Sequence, residues 1–134
     1  MAKARWLKPE FFTDARLSQV SDQAALLYPA LWVEADDGGV APGDPRIIYG
    51  RRFITRPGWT VETVATALEE LRTIGVVRCF SEESGERWVW IPKLMEQQGT
   101  KAKEWRYLDG RHVATIKRVQ AENNGANPGK AEKS

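Results

Sequence analysis

The chain has 134 residues, of which 42% are hydrophobic and 28% charged, and this composition predicts one soluble globular domain with an extension. It contains one cysteine, Cys79, and one histidine, His112. These counts exclude an internal disulfide, a tetrathiolate zinc site and a Ser-His-Asp relay with an evident partner, so we expect neither a metal nor a cofactor. The longest apolar run, 24–33, is too short to cross a bilayer.

The formal net charge of +2 is unevenly distributed along the chain. Residues 1–57 hold eight Lys/Arg and seven Asp/Glu, residues 58–92 hold three and six, and residues 93–134 hold nine and five. The middle is therefore acidic and the end basic. A basic end is either a nucleic-acid contact or a solvated extension, and the sequence leaves both open.

The first predicted helix covers 22–35. A short amphipathic turn at 14–20 precedes it, and the Ser21 hydroxyl is a good N-cap because it can accept an orphan backbone N–H. Pro29 predicts a kink or a break inside this helix. The Asp-Asp-Gly-Gly sequence at 36–39 ends it, since glycine tolerates the left-handed conformation.

A very short strand and a short helix follow. Val40 and Ala41 have room for only a tiny strand before the Pro-Gly turn. Asp44 then has the character of an N-cap, with Pro45 at the first helical position and a helix over 46–53.

The clearest helical pattern lies between Thr60, a second N-cap, and Gly75. Its apolar residues recur at three and four positions: Val61, Val64, Ala65, Leu68 and Leu71. Strands are predicted at 76–81 and 87–92, joined by a hairpin turn at 82–86.

The pattern weakens after the second strand of the hairpin. We place one domain at 1–97, a further helix within 98–122 and a disordered tail at 123–134, where apolar residues are nearly absent.

The order of elements is typical of one DNA-binding architecture. Helix, tiny strand, short helix, longer helix and hairpin follow one another as in a winged helix. In a helix-turn-helix the second helix lies in the major groove while the first crosses the backbone. The prediction is an α+β fold, a winged helix-turn-helix with a two-stranded β-hairpin wing and a basic C-terminal tail.

The same stretch resembles a known family. Residues 5–12 (RWLKPEFF), 21–28 (SDQAALLY) and 31–39 (LWVEADDGG) are similar to the N-terminal domain of phage replication-initiation or replisome-organiser proteins. The segments 68–71 (LEEL), 75–77 (GVV) and 87–92 (RWVWIP) also match, so the resemblance covers about residues 5–97. It implies a DNA-binding domain, with double-stranded DNA, and replication proteins or a second copy, as partners.

Positively charged residues outside the acidic middle are the predicted phosphate contacts. They are Arg46, Arg51, Arg52 and Arg56 around the short helix, with Lys101, Lys103 and Arg106 from the tail. The four arginines have no acidic residue among them after Asp44, which favours phosphate contact over the alternative of a solvated helix face.

The predicted recognition helix has a mixed outward face. Thr63, Thr66 and Arg72 are candidates for touching base edges or phosphates. Glu69 and Glu70 would be repelled by phosphate, so this face is also a candidate protein-binding surface.

The sequence of the hairpin likewise bears on whether it contacts DNA or a protein partner. Three glutamates at its tip argue against entry into a DNA groove. Trp88 and Trp90 alternate with Val89 and Ile91, so the two pairs face opposite sides. One pair belongs to the core, and the other is either an exposed aromatic patch or a satellite core.

No catalytic constellation is visible, so an enzyme is not expected. The sequence predicts a cytoplasmic phage-type DNA-binding protein of replication initiation or its regulation. The alternative is a winged-helix protein-interaction module that serves in dimerisation, as an accessory factor, or as a phage-encoded inhibitor of a host system.

Overall fold

A computed structural model describes residues 2–94 of the chain. Outside these residues lie the helix expected within 98–122, the tail expected at 123–134, His112, and the three predicted contacts Lys101, Lys103 and Arg106. No helix in the described part is long and apolar enough to cross a membrane.

The described part contains three α-helices and three short strands. The helices are α1 (Asp22–Glu34), α2 (Pro45–Ile48), which continues as a π-helical turn (Tyr49–Phe53), and α3 (Val61–Thr73), and two short 3-10 turns (Pro9–Phe12 and Leu17–Gln19) come before α1. The strands are β1 (Val40–Pro42), β2 (Arg78–Ser81) and β3 (Arg87–Trp90). They form an antiparallel sheet in the order β1-β3-β2. The predicted α+β class is confirmed, and the tiny first strand extends the hairpin to three strands.

The three predicted N-caps are confirmed. The Ser21 hydroxyl accepts from the Ala24 N–H at 3.1 Å, and Asp44 Oδ1 accepts from the Arg46 N–H at 2.9 Å. Thr60 and Thr63 form a reciprocal capping box, with each side-chain oxygen 3.1 Å from the other residue's backbone nitrogen. Local hydrogen bonds thus fix where each helix begins.

Four predicted boundaries need correction. The helix α1 runs through Pro29 without a break, because the buried side chains on both sides of it hold the helix by packing. The second helix begins at Pro45, as predicted, but its α-helical part ends at Ile48 and a π-helical turn follows from Tyr49. The hairpin strands are shorter than 76–81 and 87–92, and beyond β3 the Ile91 N–H donates to the Gly39 carbonyl at 2.8 Å.

A tight turn joins α1 to β1. Asp36 Oδ1 accepts from the N–H groups of Gly38 at 2.9 Å and of Val40 at 3.1 Å. Gly39 has φ +86°, and a Cβ there would lie 2.6 Å from the Ile91 carbonyl oxygen. Only glycine fits both the conformation and the close approach.

The core lies between α1, α3 and one face of the sheet. Its centre contains Leu27, Leu31, Val64, Leu71 and Val89.

The tryptophans of β3 lie on the opposite face of the sheet from Val89. They pair across the strands, Trp90 with Val40 and Trp88 with Pro42. Trp88 and Trp90 are only 8% and 6% exposed, so the alternative of an exposed aromatic patch at this position is wrong. Cross-strand packing on this second face accounts for part of their burial.

Candidate nucleic-acid interface

Arg51 and Arg52 are tied to a buried carboxylate at the end of α1. Arg52 Nε donates to Glu34 Oε1 at 2.6 Å, and Arg51 Nη1 donates to Oε2 at 3.2 Å. The Glu34 side chain is 7% exposed, whereas both guanidinium groups reach solvent. One carboxylate therefore holds two arginines, which leaves one positive charge in excess.

Asp44 forms a second cluster of the same kind. Its Oδ2 lies 2.9 Å from Arg46 Nη2, and its Oδ1 lies 3.3 Å from Arg87 Nη2. The side-chain hydrogen bond from Arg46, with the charges of Arg46 and Arg87, lowers the pKa of Asp44 to about 2 against the opposing effect of burial. The carboxylate thus stays ionised at neutral pH, and the arginine side chains remain 76% and 52% exposed.

Arg87 was not predicted as a site residue. It begins β3, and its carbonyl accepts from the Gly43 N–H at 2.9 Å, so the sheet places it beside Asp44. To predict Arg87 as a site residue, the pairing of β1 with β3 would have to be known in advance. A three-residue strand does not reveal which strand it pairs with.

A groove of about 290 Å³ separates α3 from the sheet. Arg72 and Arg87 line it, together with Asp44's neighbours Gly43 and Pro45. Arg72 Nε donates to Glu69 Oε1 at 2.8 Å, and this hydrogen bond lowers the pKa of Glu69. We call Arg46, Arg72 and Arg87 the arginine rim; it has three cations against the carboxylates of Asp44 and Glu69.

The structure does not gather the four predicted arginines into one cluster. Arg46 is held by Asp44, and the next two are held by Glu34. Arg56 is exposed in the turn before α3 and forms no ion pair with any residue in 2–94. The expectation of phosphate contact thus applies to arginines that already have carboxylate partners, with Arg56 as the exception.

The side chains of α3 that were predicted to contact DNA differ in whether their polar groups already bind another residue of the protein. The Thr63 hydroxyl serves the capping box with Thr60. Arg72 is paired with Glu69. Thr66 is exposed, and its hydroxyl makes no hydrogen bond to any residue of the described part.

Two of the three glutamates of α3, Glu69 and Glu70, have structural partners. Glu70 Oε1 accepts from the Ser21 N–H at 2.9 Å, and Oε2 accepts from the Ser21 hydroxyl at 2.7 Å. Glu70 therefore holds the N-cap of α1 against α3, while Glu69 holds Arg72. Glu70 thus connects α3 to α1, whereas Glu69 forms its ion pair within α3.

We expect Glu70→Ala to lower the free energy of unfolding by about 1–2 kcal/mol, because it removes two hydrogen bonds at a helix cap. Urea unfolding followed by circular dichroism measures this. Glu83→Ala, at the exposed tip of the hairpin, is the matched control and should stay within about 0.5 kcal/mol of the unchanged protein. Equal effects of the two substitutions would contradict the structural role of Glu70.

A second groove, of about 600 Å³, lies on the other side of α3. Gln19, Val20 and Ile74 line it, and Ala65 and Glu69 line both grooves. The exposed side of α3 therefore stands as a ridge between two grooves.

Comparisons of the chain with protein-family models, with curated proteins and with solved structures found no match.

Proposed function

We propose that the chain is a winged-helix protein that binds duplex DNA mainly through phosphate contacts. The order of elements supports this: α1, β1, α2, α3 and then the β2–β3 hairpin, with β1 paired to β3. In this arrangement α2 and α3 are the helix-turn-helix pair, and α3 is the helix that would face the major groove.

The observation that carries the proposal is the position of the arginine rim beside the exposed ridge of α3. Residues 2–94 hold 12 Lys/Arg and 13 Asp/Glu, so their net charge does not attract DNA. Attraction must come from local excess of positive charge. Arg72 and Arg87, which line the groove beside α3, and Arg46, which shares Asp44 with Arg87, provide it. Arg51, Arg52 and Arg56 would extend the contact along the duplex.

The biological setting rests on the resemblance of residues 5–97 to phage replication proteins. We place the protein in replication initiation or its regulation, acting in the host cytoplasm. Its partners would be double-stranded DNA and a replication protein or a second copy.

Fluorescence anisotropy with a random duplex at two salt concentrations tests DNA binding. With about four phosphate contacts, affinity should fall on the order of a hundredfold between 50 and 200 mM salt, because each contact releases condensed counterions. Absence of binding to any duplex at 50 mM salt would overturn the proposal.

One observation favours the alternative of a protein-interaction module. Trp6 and Phe12 are 74% and 70% exposed near the start of the chain, and aromatic residues are enriched in protein–protein interfaces. Under this alternative the protein would self-associate or capture a partner through these rings. Light scattering measures the oligomeric state of the unchanged protein and of the Trp6→Ala/Phe12→Ala double variant. A dimer that the double variant loses would identify a second copy of the chain as the partner.

A further inference from the structure

Three outward-facing residues of α3 make no polar side-chain contact within the described part. Glu62, Ala65 and Thr66 are exposed, and none of their side chains forms a hydrogen bond or ion pair with residues in 2–94. Residues spaced by three and four lie on one face of a helix, so these three form a continuous strip, which we call the reading strip. The other polar side chains on the outer side of α3 are engaged: Thr63, Glu69, Glu70, Arg72 and Thr73.

The reading strip occupies the crest of α3. Ala65 lines both grooves that flank the helix, and Thr66 lines the outer one. On a helix that enters the major groove, this crest is the part that meets base edges, while flanking side chains meet the backbone. The arginine rim lies along one flank only.

The chemistry of the strip is selective. Glu62 offers only acceptors, and cytosine is the one base whose major-groove edge offers only a donor, its N4 amino group. Guanine presents two acceptors there and would be repelled by the carboxylate. The methyl groups of Ala65 and Thr66 suit the C5-methyl group of thymine.

The spacing of the strip limits the distance between the two bases. Glu62 and Thr66 are separated by about 6 Å along the helix axis, at about 1.5 Å per residue. Successive bases along one strand rise by about 3.4 Å. Contacts from the two ends of the strip therefore fall on bases one or two steps apart.

We infer that the reading strip gives the protein a preference for duplex DNA with a cytosine one or two steps from a thymine on one strand. This inference rests on the proposed function, and it goes further by naming the sequence class and the residues that read it. Thr63 and Arg72, which the sequence offered as readers, instead have structural partners.

Selection from a library of random duplexes, with the full chain at 100 mM salt, tests the preference. The unchanged protein should enrich sites with cytosine and thymine at this spacing. Glu62→Gln should replace the cytosine by adenine, since glutamine pairs with the N6 and N7 of adenine. At the enriched site, a change of cytosine to guanine should weaken binding by roughly 5- to 150-fold.

The thymine contact has its own test. Deoxyuridine in place of the thymine removes one methyl group and should weaken binding about fourfold. Thr66→Ser should reduce this sensitivity to deoxyuridine, because only the Ala65 methyl group then remains. Thr73→Ser, which loses the same methyl group outside the strip, should retain the full sensitivity. Circular dichroism of each variant verifies the fold.

The outcomes separate the two proposals. Binding to random duplex without enrichment, or enrichment that Glu62→Gln leaves unchanged, overturns the inference and leaves DNA binding intact. Failure to bind any duplex at 50 mM salt overturns both.

Discussion

Leu71→Ala should lower the free energy of unfolding by about 3–5 kcal/mol, the upper part of the range for buried leucines. The Leu71 side chain is completely buried where α3 meets the rest of the core. Its truncation would remove apolar contacts and leave a cavity that rigid neighbours cannot fill. Chemical unfolding followed by tryptophan fluorescence measures the loss.

Leu68→Ala is the matched comparison on the same helix. Leu68 is 8% exposed and lines the groove between α3 and the sheet, so solvent and mobile side chains can occupy the space that truncation leaves. We expect a loss of about 2 kcal/mol. A larger loss at Leu68 than at Leu71 would show that α3 is rotated so that Leu68, and not Leu71, faces the core.

The sequence predicts those features of this fold that depend on neighbouring residues. Ser21, Asp44 and Thr60 were identified as N-caps because a cap needs only a side chain two or three residues from its donor. The spacing of the apolar residues in α3 likewise predicts Leu68 and Leu71 as core residues, because a helical pattern is visible in residues only three or four positions apart. The π-helical turn after Ile48 has no comparable local signal, because its geometry follows from packing.

The candidate site depends on contacts between distant residues, and here the sequence was less informative. The four arginines had no acidic residue among them in sequence, but Glu34 reaches Arg51 and Arg52 across 17 and 18 positions. Glu70 likewise meets Ser21 across 49 positions. Charges counted along a chain therefore differ from charges available on its surface.

The pairing of arginines with carboxylates would affect phosphate binding by the proposed DNA-binding surface in two opposite ways. An arginine held by a carboxylate is positioned in advance, so it loses less side-chain entropy on meeting a phosphate. The carboxylate also reduces the attraction. Two arginines on one carboxylate retain an excess of one positive charge, and both Asp44 and Glu34 have this arrangement.

The arginine rim should account for most of the salt dependence of DNA binding. We expect a combined Arg46→Gln, Arg72→Gln and Arg87→Gln variant to flatten the log–log salt slope by about 2.7, at about 0.9 per phosphate contact. If four contacts operate in the unchanged protein, the fall in affinity between 50 and 200 mM salt should shrink from about a hundredfold to about threefold. Anisotropy titrations with random duplex at several salt concentrations measure both slopes.

The matched control removes the same number of charges elsewhere, through Lys8→Gln, Arg16→Gln and Lys93→Gln. These residues are exposed and do not line the groove beside α3. If only long-range attraction is lost, the salt slope should flatten equally in both variants. If the rim contacts phosphates directly, the slope should flatten only in the rim variant. A rim variant that retains the full slope, with an unchanged circular dichroism spectrum, would show that the duplex does not lie against this side of α3.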